Sequence, residues 1–409
     1  VYFKIGTFNP QRYKNYLYNN QSLFFIPSFS FCTFAILKKT TMTDELYYRL
    51  ALLLHPKITN FNAKRLVRLF GSATLVFDSE KKKEFRKELI KWNLNAISID
   101  KELDYQIQTE RELMDKEQIQ ALFFDQSDYP TRLLTSANYP AIFFHKGENI
   151  FNKPHILSII GTRNITNYGI DVVKKMISEM AHEGLVIVSG LASGVDTLAH
   201  EEAIRNGVKT VAVMGHGFSL IYPSQNYKLA KNMIDSGGAI ATEYAYHTTP
   251  IPQNFPTRNR IIAGLSDASL VIESKIKGGS MITASMVLNI KRDLFTVPGS
   301  IYSPNHEGCN NLIVEGLAQG VTSGGELLAK MGWTDQPLKE VQTKLFLELS
   351  EEEEEVYQLL LEVDQMGIDE INSKLTQFTP SRLASILLHM EFDGIVECKP
   401  GKIYRLIRR

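Results

Sequence analysis

With 409 residues and 44% apolar content, the chain is long enough for two or three domains with sizeable cores, which excludes a disordered or fibrous protein. Lys+Arg and Asp+Glu are equal at 45 each, so no global charge announces a polyanionic partner and any nucleic-acid site has to be a local patch. The three cysteines, Cys32, Cys309 and Cys398, are far apart and show neither CxxC nor metal-ligand spacing, which points to a cytoplasmic setting and no metal.

Residues 1–41 begin on Val and carry an aromatic-rich run, Phe24 to Leu37, broken by Pro27 and without helical or strand period. The run is too short to span a bilayer, and no membrane partner is expected. We read the segment as upstream sequence or a disordered leader before Met42, with a secretory signal core as the alternative.

From Asp44 the apolar spacing is helical, and residues 42–120 are expected to form a helical module of SAM or helix-hairpin-helix type. The segment Ile58 to Asn62 sits where a DNA-binding hairpin would lie, but the glycines that let such a hairpin approach phosphates are absent. It reads either as a packing element or as a DNA hairpin. The charge-rich stretch 79–120, with Lys81-Lys82-Lys83, reads as solvated helix faces.

Turn residues around Asp128-Tyr129-Pro130 open a second domain, 121–333, in which Val/Ile-rich runs at 155–160, 185–189, 209–214, 238–242, 268–273 and 293–297 alternate with amphipathic helices. Near-continuous apolar strands of this kind belong to a parallel sheet covered on both faces, so the fold class is α/β, an extended Rossmann-like doubly wound sheet. Residues 334–350 read as a linker. In 351–409, three helical patterns precede two short strands, the order of a winged helix, yet from Lys344 onward there are eight Lys/Arg against thirteen Asp/Glu. That balance favours protein contact or weak DNA contact over sequence-specific reading.

The stretches suited to chemistry are glycine turns at strand ends, where backbone N–H groups and helix N-termini hold anions. Gly161, Thr162 and Arg163 form the first, with Arg163 offering a permanent fork of donors. Ser189, Gly190, Ser193 and Gly194 form the second, followed by Asp196 as a helix-start residue and by His200, either a packed histidine or a base. Gly215-His216-Gly217 lacks the third glycine of a dinucleotide fingerprint, so no cofactor is expected. Arg258, Asn259 and Arg260 enter a helix in a pattern that can clamp phosphates, and Lys277, Gly279 and Ser280 mark a further turn opening a helix.

The ordered set GTR (161–163), SGLASGVD (189–196), FPTRNRIIAGLS (255–266), GGSMITA (278–284), VPGSI (297–301) and GCNNLI (308–313) resembles the DNA-processing protein A family, also called Smf. The resemblance implies a non-enzymatic, single-stranded-DNA-binding protein. Such a protein protects incoming strands in natural transformation and recombination, loads a RecA-type recombinase, meets single-strand-binding protein and works as a homodimer. It also implies that Arg163 is the arginine of the family's basic pocket. Gly278 departs from the family's usual serine. The rival reading, a nucleotide-processing phosphoribohydrolase-like enzyme, needs a further glycine and a following glutamate that 278–283 do not supply.

Overall fold

The computed structural model describes residues 42–407 apart from 137, 182–183, 334–348, 362, 364 and 393–394. The readings of residues 1–41 and of nearly all the 334–350 linker therefore fall outside the described residues. Two compact units divide between Thr322 and Ser323.

The first unit is built on a nine-stranded sheet, in the order β1-β2-β6-β5-β4-β3-β7-β8-β9. Its middle is parallel: β3 (His155–Gly161) lies between β4 (Leu185–Ser189) and β7 (Ala268–Ile272). Beyond β4 follow β5 (Lys209–Val213) and β6 (Ala239–Thr242), and beyond β7 follow β8 (Asp293–Thr296) and β9 (Gln319–Gly320). The chain thus builds outward from β3 in one direction and then crosses to its other side. That reversal is a topological switch point, where ligands of open α/β sheets bind beyond the strands' carboxyl ends. The six strands read from the sequence match β3 to β8 to within a residue or so at each end.

Two further strands, β1 (Gln120–Phe123) and β2 (Ile142–Gly147), extend the β6 edge antiparallel; the run Tyr139 to Phe144 reads as a strand in the sequence, but β1 and the antiparallel pairing were not expected. Their outer face is covered by helices α1 (Met42–Leu54) and α6 (Lys101–Glu117), with Leu50, Leu103 and Ile107 packed on Phe123, Ile142 and Phe144. The helical module therefore shares the core domain's hydrophobic core and lies in the same compact unit. Between α1 and α6 lie α2 (Asn60–Phe70), α3 (Ala73–Phe77), α4 (Ser79–Glu84) and α5 (Arg86–Lys91).

The segment where a DNA hairpin was considered is a docking element. The Asn60 side chain donates to the Tyr139 carbonyl at 2.9 Å and accepts from the Ala141 N–H at 2.6 Å, mimicking a strand partner. Lys64 Nζ reaches the same Tyr139 carbonyl at 2.6 Å. Burial, with Arg260 and Arg68 nearby, pulls that ammonium down to about 8.

Parallel strands demand buried partners for every polar side chain they carry, and His200 supplies one. It lies on α8 (Val195–Arg205), fully buried, with Nδ1 2.7 Å from Thr210 Oγ1. The Thr210 hydroxyl donates its one proton to the Ile187 carbonyl at 2.8 Å, so it accepts from His200, which is the Nδ1–H tautomer. Of the two readings, packed histidine or base, the geometry gives the packed one.

The second unit contains α13 (Gly324–Lys330), α14 (Glu351–Leu361), β10 (Met366–Gly367), α15 (Ile368–Lys374), α16 (Pro380–Phe392), β11 (Val396–Lys399) and β12 (Ile403–Leu406). The three strands form one sheet, β10-β12-β11. From α14 onward the three helices and two closing strands stand where the sequence placed them, and β10, between α14 and α15, adds a third strand that was not expected.

Burial lowers the His200 imidazole to about 3. Above pH ~6.5 neither state is protonated; below it only the unfolded chain takes the proton. Stability should therefore fall as pH drops from ~6.5 toward ~3, by up to ~1.4 kcal/mol per pH unit from this residue. In urea unfolding between about pH 7 and pH 4.5, His200→Leu should show a slope shallower by about one proton. An unchanged slope would contradict the neutral, buried assignment.

Candidate nucleic-acid interface

Beyond the carboxyl ends of β3, β4 and β7 lies a cleft of about 470 Å³. It is lined from the β3 turn by Gly161, Thr162, Arg163 and Asn164, from the β4 turn by Ala192 and Asp196, and from the β7 turn by Ser274, Lys275, Lys277, Gly278, Gly279 and Ser280. The wall opposite belongs to helix α10 (Asn254–Leu265), which presents Phe255, Arg258, Asn259 and Ile262. Those four recur at i, i+3, i+4 and i+7, one face of a helix.

Each turn is held shut by backbone-directed bonds. The Thr162 N–H donates to the Glu273 carbonyl at 2.9 Å, and the Val195 N–H to the Thr162 carbonyl at 3.1 Å. Gly194 joins the first two turns: its φ is +82°, and a Cβ there would collide with the carbonyl oxygens of Thr162 and Arg163. Glu273, buried beside the cleft, accepts from the Thr166 N–H at 2.9 Å, from the Thr166 hydroxyl, and from His306 Nε2 at 3.0 Å. It ties the start of the helix after β3 to the loop after β8. On the third turn, Ser280 Oγ donates to Ser274 Oγ at 2.7 Å at the start of α11 (Gly279–Asn289). The N-terminus of this helix opens into the cleft and favours negative charge.

The expected site residues divide into three groups. Gly161, Thr162, Arg163, Arg258, Asn259, Lys277, Gly279 and Ser280 come together in the cleft. Ser189, Gly190, Ser193 and Gly194 do not line it. Ser189 is buried and donates to the Ile159 carbonyl at 2.7 Å, while the Ser193 hydroxyl accepts from Gln225 at 3.1 Å. The Gly190 N–H, expected to meet phosphate, donates instead to Asp196 Oδ2 at 3.1 Å. Arg260 is the third case: two positions from Arg258 on the same helix, it faces away and forms an ion pair with Glu243.

Arg258 is in the cleft wall, yet it is no phosphate clamp. It is 4% exposed, and its guanidinium donates to the carbonyls of Gly190 at 2.6 Å and of Val213. A Cβ on Gly190 would lie 2.6 Å from that guanidinium, which accounts for the glycine. Burial pulls Arg258 down to about 10, against the attraction of Asp196. Burial pushes the Asp196 carboxyl up, while Arg258 and the N–H groups of Ala192 and Gly190 pull it back. Asp196 and Arg258 therefore compensate each other's charge within the cleft lining, and Asp196 anchors the turn from the first turn of its helix.

The cations left facing solvent are Arg163, Lys275 and Lys277, none with an acidic partner among the described residues. Sequence reasoning missed Lys275, which only its place two residues before Lys277 on the β7 turn could have flagged.

The family described as DNA recombination-mediator protein A matches residues 120–332. The chain belongs to that family. DNA processing protein DprA of Streptococcus pneumoniae is 41% identical over 202 residues, covering 49% of this chain and 71% of its own. Protein Smf of Escherichia coli is 33% identical over 291 residues, covering 69% and 76%. The X-ray structure of the Streptococcus pneumoniae protein covers 71% of this chain and 98% of its own, at 30% identity with a TM-score of 0.55. The DprA/Smf resemblance and the Rossmann-like core expected from the motifs hold. No helix among the described residues is long and apolar enough to cross a membrane.

Arg163 and Arg258 should separate cleanly in a stability measurement. Arg163→Ala, at an exposed and unpaired position, should change the free energy of urea unfolding by no more than ~0.5 kcal/mol. Arg258→Ala removes a buried partner and should cost ~3–5 kcal/mol. Equal effects would contradict the division between a cleft cation and a structural one.

Proposed function

We propose that this chain binds single-stranded DNA through the cleft, protects incoming strands in natural transformation and recombination, and loads a RecA-type recombinase onto them. The observation that carries the reading is the convergence of three strand-end turns, a helix N-terminus and three unpaired cations on one concave edge. A concave site of this size admits a nucleotide or two of a flexible strand, whereas a duplex presents its backbone on a convex cylinder. Phe255 in the wall has its ring centroid 5.7 Å from that of Tyr222, itself 47% exposed, giving bases an aromatic border. Membership of a recombination-mediator family supports the same reading.

Binding without turnover fits the state of the two nearby carboxylates. Asp196 is engaged by backbone N–H groups, and Glu273 by Thr166 and His306, so neither is poised as a general base. In the C-terminal unit, Arg382 is paired with Glu352 and His389 with Glu353, which favours protein contact over duplex reading for the proposed winged helix. The proposal includes a homodimer acting in the cytoplasm, in exchange with single-strand-binding protein.

The test is a salt series of oligothymidylate binding. Each lost phosphate contact should lower the magnitude of the log–log salt slope by ~0.7. Arg163→Ala together with Lys277→Ala should lower it by ~1.4 and weaken binding at every salt concentration. Arg260→Ala should leave the slope unchanged in protein that remains folded. A slope insensitive to Arg163 and Lys277, or equal affinity for duplex, would sink the reading.

A further inference from the structure

A strongly basic stretch of the chain lies outside the core family match. Residues 57–92 hold ten Lys/Arg against four Asp/Glu, in a protein whose overall formal charge is zero. The acids are largely engaged: Glu84 pairs with Lys81 and Glu80 with Lys83, and Asp78 caps α4 through the Lys81 N–H at 2.9 Å. Glu88 is the remaining one. Lys57, Arg86, Lys87 and Lys91 are exposed, with no acidic partner among the described residues.

Aromatic rings are interleaved with these charges. The Arg65 guanidinium lies 3.7 Å from the Trp92 ring centroid and 5.4 Å from that of Phe61, which is 59% exposed. Arg65 thus lies close to the Trp92 ring, with the open Phe61 ring also within cation–π range of its guanidinium. Lys87 and Lys91 stand one helical turn apart on α5, and Lys91 adjoins Trp92 in the chain. A planar cation and a ring on α2, joined through the Arg65–Trp92 contact to the end of a helix that carries unpaired ammonium groups, supply what single strands use to stack while their phosphates are neutralised.

The position suits continuation of a strand leaving the cleft. Arg258 and Asn259 face the cleft from α10, while Arg260 on its far side meets Glu243 in the electrostatic range of Lys64 on α2. The width of a helix, ~10 Å, separates the two sides of α10, a step that a few nucleotides cross.

We infer that Phe61, Arg65, Lys87 and Lys91 form a second single-stranded-DNA subsite on the helical module, engaged by strands long enough to run past the cleft. This rests on the single-strand reading of the cleft, and the two can fail separately. Oligothymidylates of ~4 and ~30 nucleotides, chosen to be below and above a two-site length, are titrated by anisotropy against the full chain. The variants are Arg65→Gln/Lys87→Gln/Lys91→Gln, Phe61→Ala and Arg163→Ala, with folding checked by thermal unfolding. The triple variant should lose about tenfold in affinity for the long strand, lower its salt-slope magnitude by ~2, and leave the short strand unchanged. Phe61→Ala should weaken only the long strand. Arg163→Ala should weaken both lengths yet leave salt-sensitive residual binding of the long one. Long-strand binding unaffected by both module variants overturns the subsite. So does an equal loss for both lengths, which would mean that the module acts through the cleft. If the parent binds neither strand, the cleft reading falls with it; if anionic vesicles compete away nothing but the patch, the patch belongs to a lipid surface.

Discussion

The cleft is held together by a guanidinium buried in its wall. Arg258 reaches from α10 to the carbonyl of Gly190 just beyond β4 and to that of Val213 at the end of β5. Strand ends leave carbonyls without ladder partners, and here one planar cation satisfies two of them at once. The charge it brings is balanced by Asp196, whose carboxylate gathers the N–H groups of Gly190 and Ala192. With that pair in place the β4 turn is tied at both its N–H groups and its carbonyl, Gly194 passes against the Thr162 and Arg163 backbone, and Arg163 is left exposed.

A neutral chain can bind a polyanion only by separating its charges. Around the cleft the separation is by depth: the carboxylates of Asp196 and Glu273 are buried and saturated, whereas Arg163, Lys275 and Lys277 are left at the surface. Donors fixed before the ligand arrives need little reorganisation when it binds, which is the advantage of building the site on strand ends of a sheet covered on both faces. Affinity should then follow the few surface cations and fall with salt, while the scaffold beneath is indifferent to ionic strength because its charges are compensated out of solvent.

Much of this was legible in the sequence because strand ends, glycines and basic residues are local signals. The sheet from β3 to β8 followed from Val/Ile runs, and the sharing of one edge by the turns at 161 and 279 followed from the rule for doubly wound sheets. What was not legible was which donors are free. Nothing local shows that the Gly190 N–H is taken by Asp196, or that Ser189 turns inward to Ile159. Arg260 was recoverable: two residues after Arg258 on a helix, it has to face the other way. The helical module was read as a packing element with solvated charges, and its aromatic–basic surface emerged only when Phe61, Arg65 and Trp92 were seen together in space.

The central claim, that the turns after β3, β4 and β7 hold one DNA strand together, is tested most directly by hydrogen exchange of the full chain with and without a saturating short oligothymidylate. Peptides covering 161–166, 190–197 and 274–283 should all gain protection, and at the same oligonucleotide concentration. Protection confined to the C-terminal unit, or present in one turn and absent from the other two, would contradict the account.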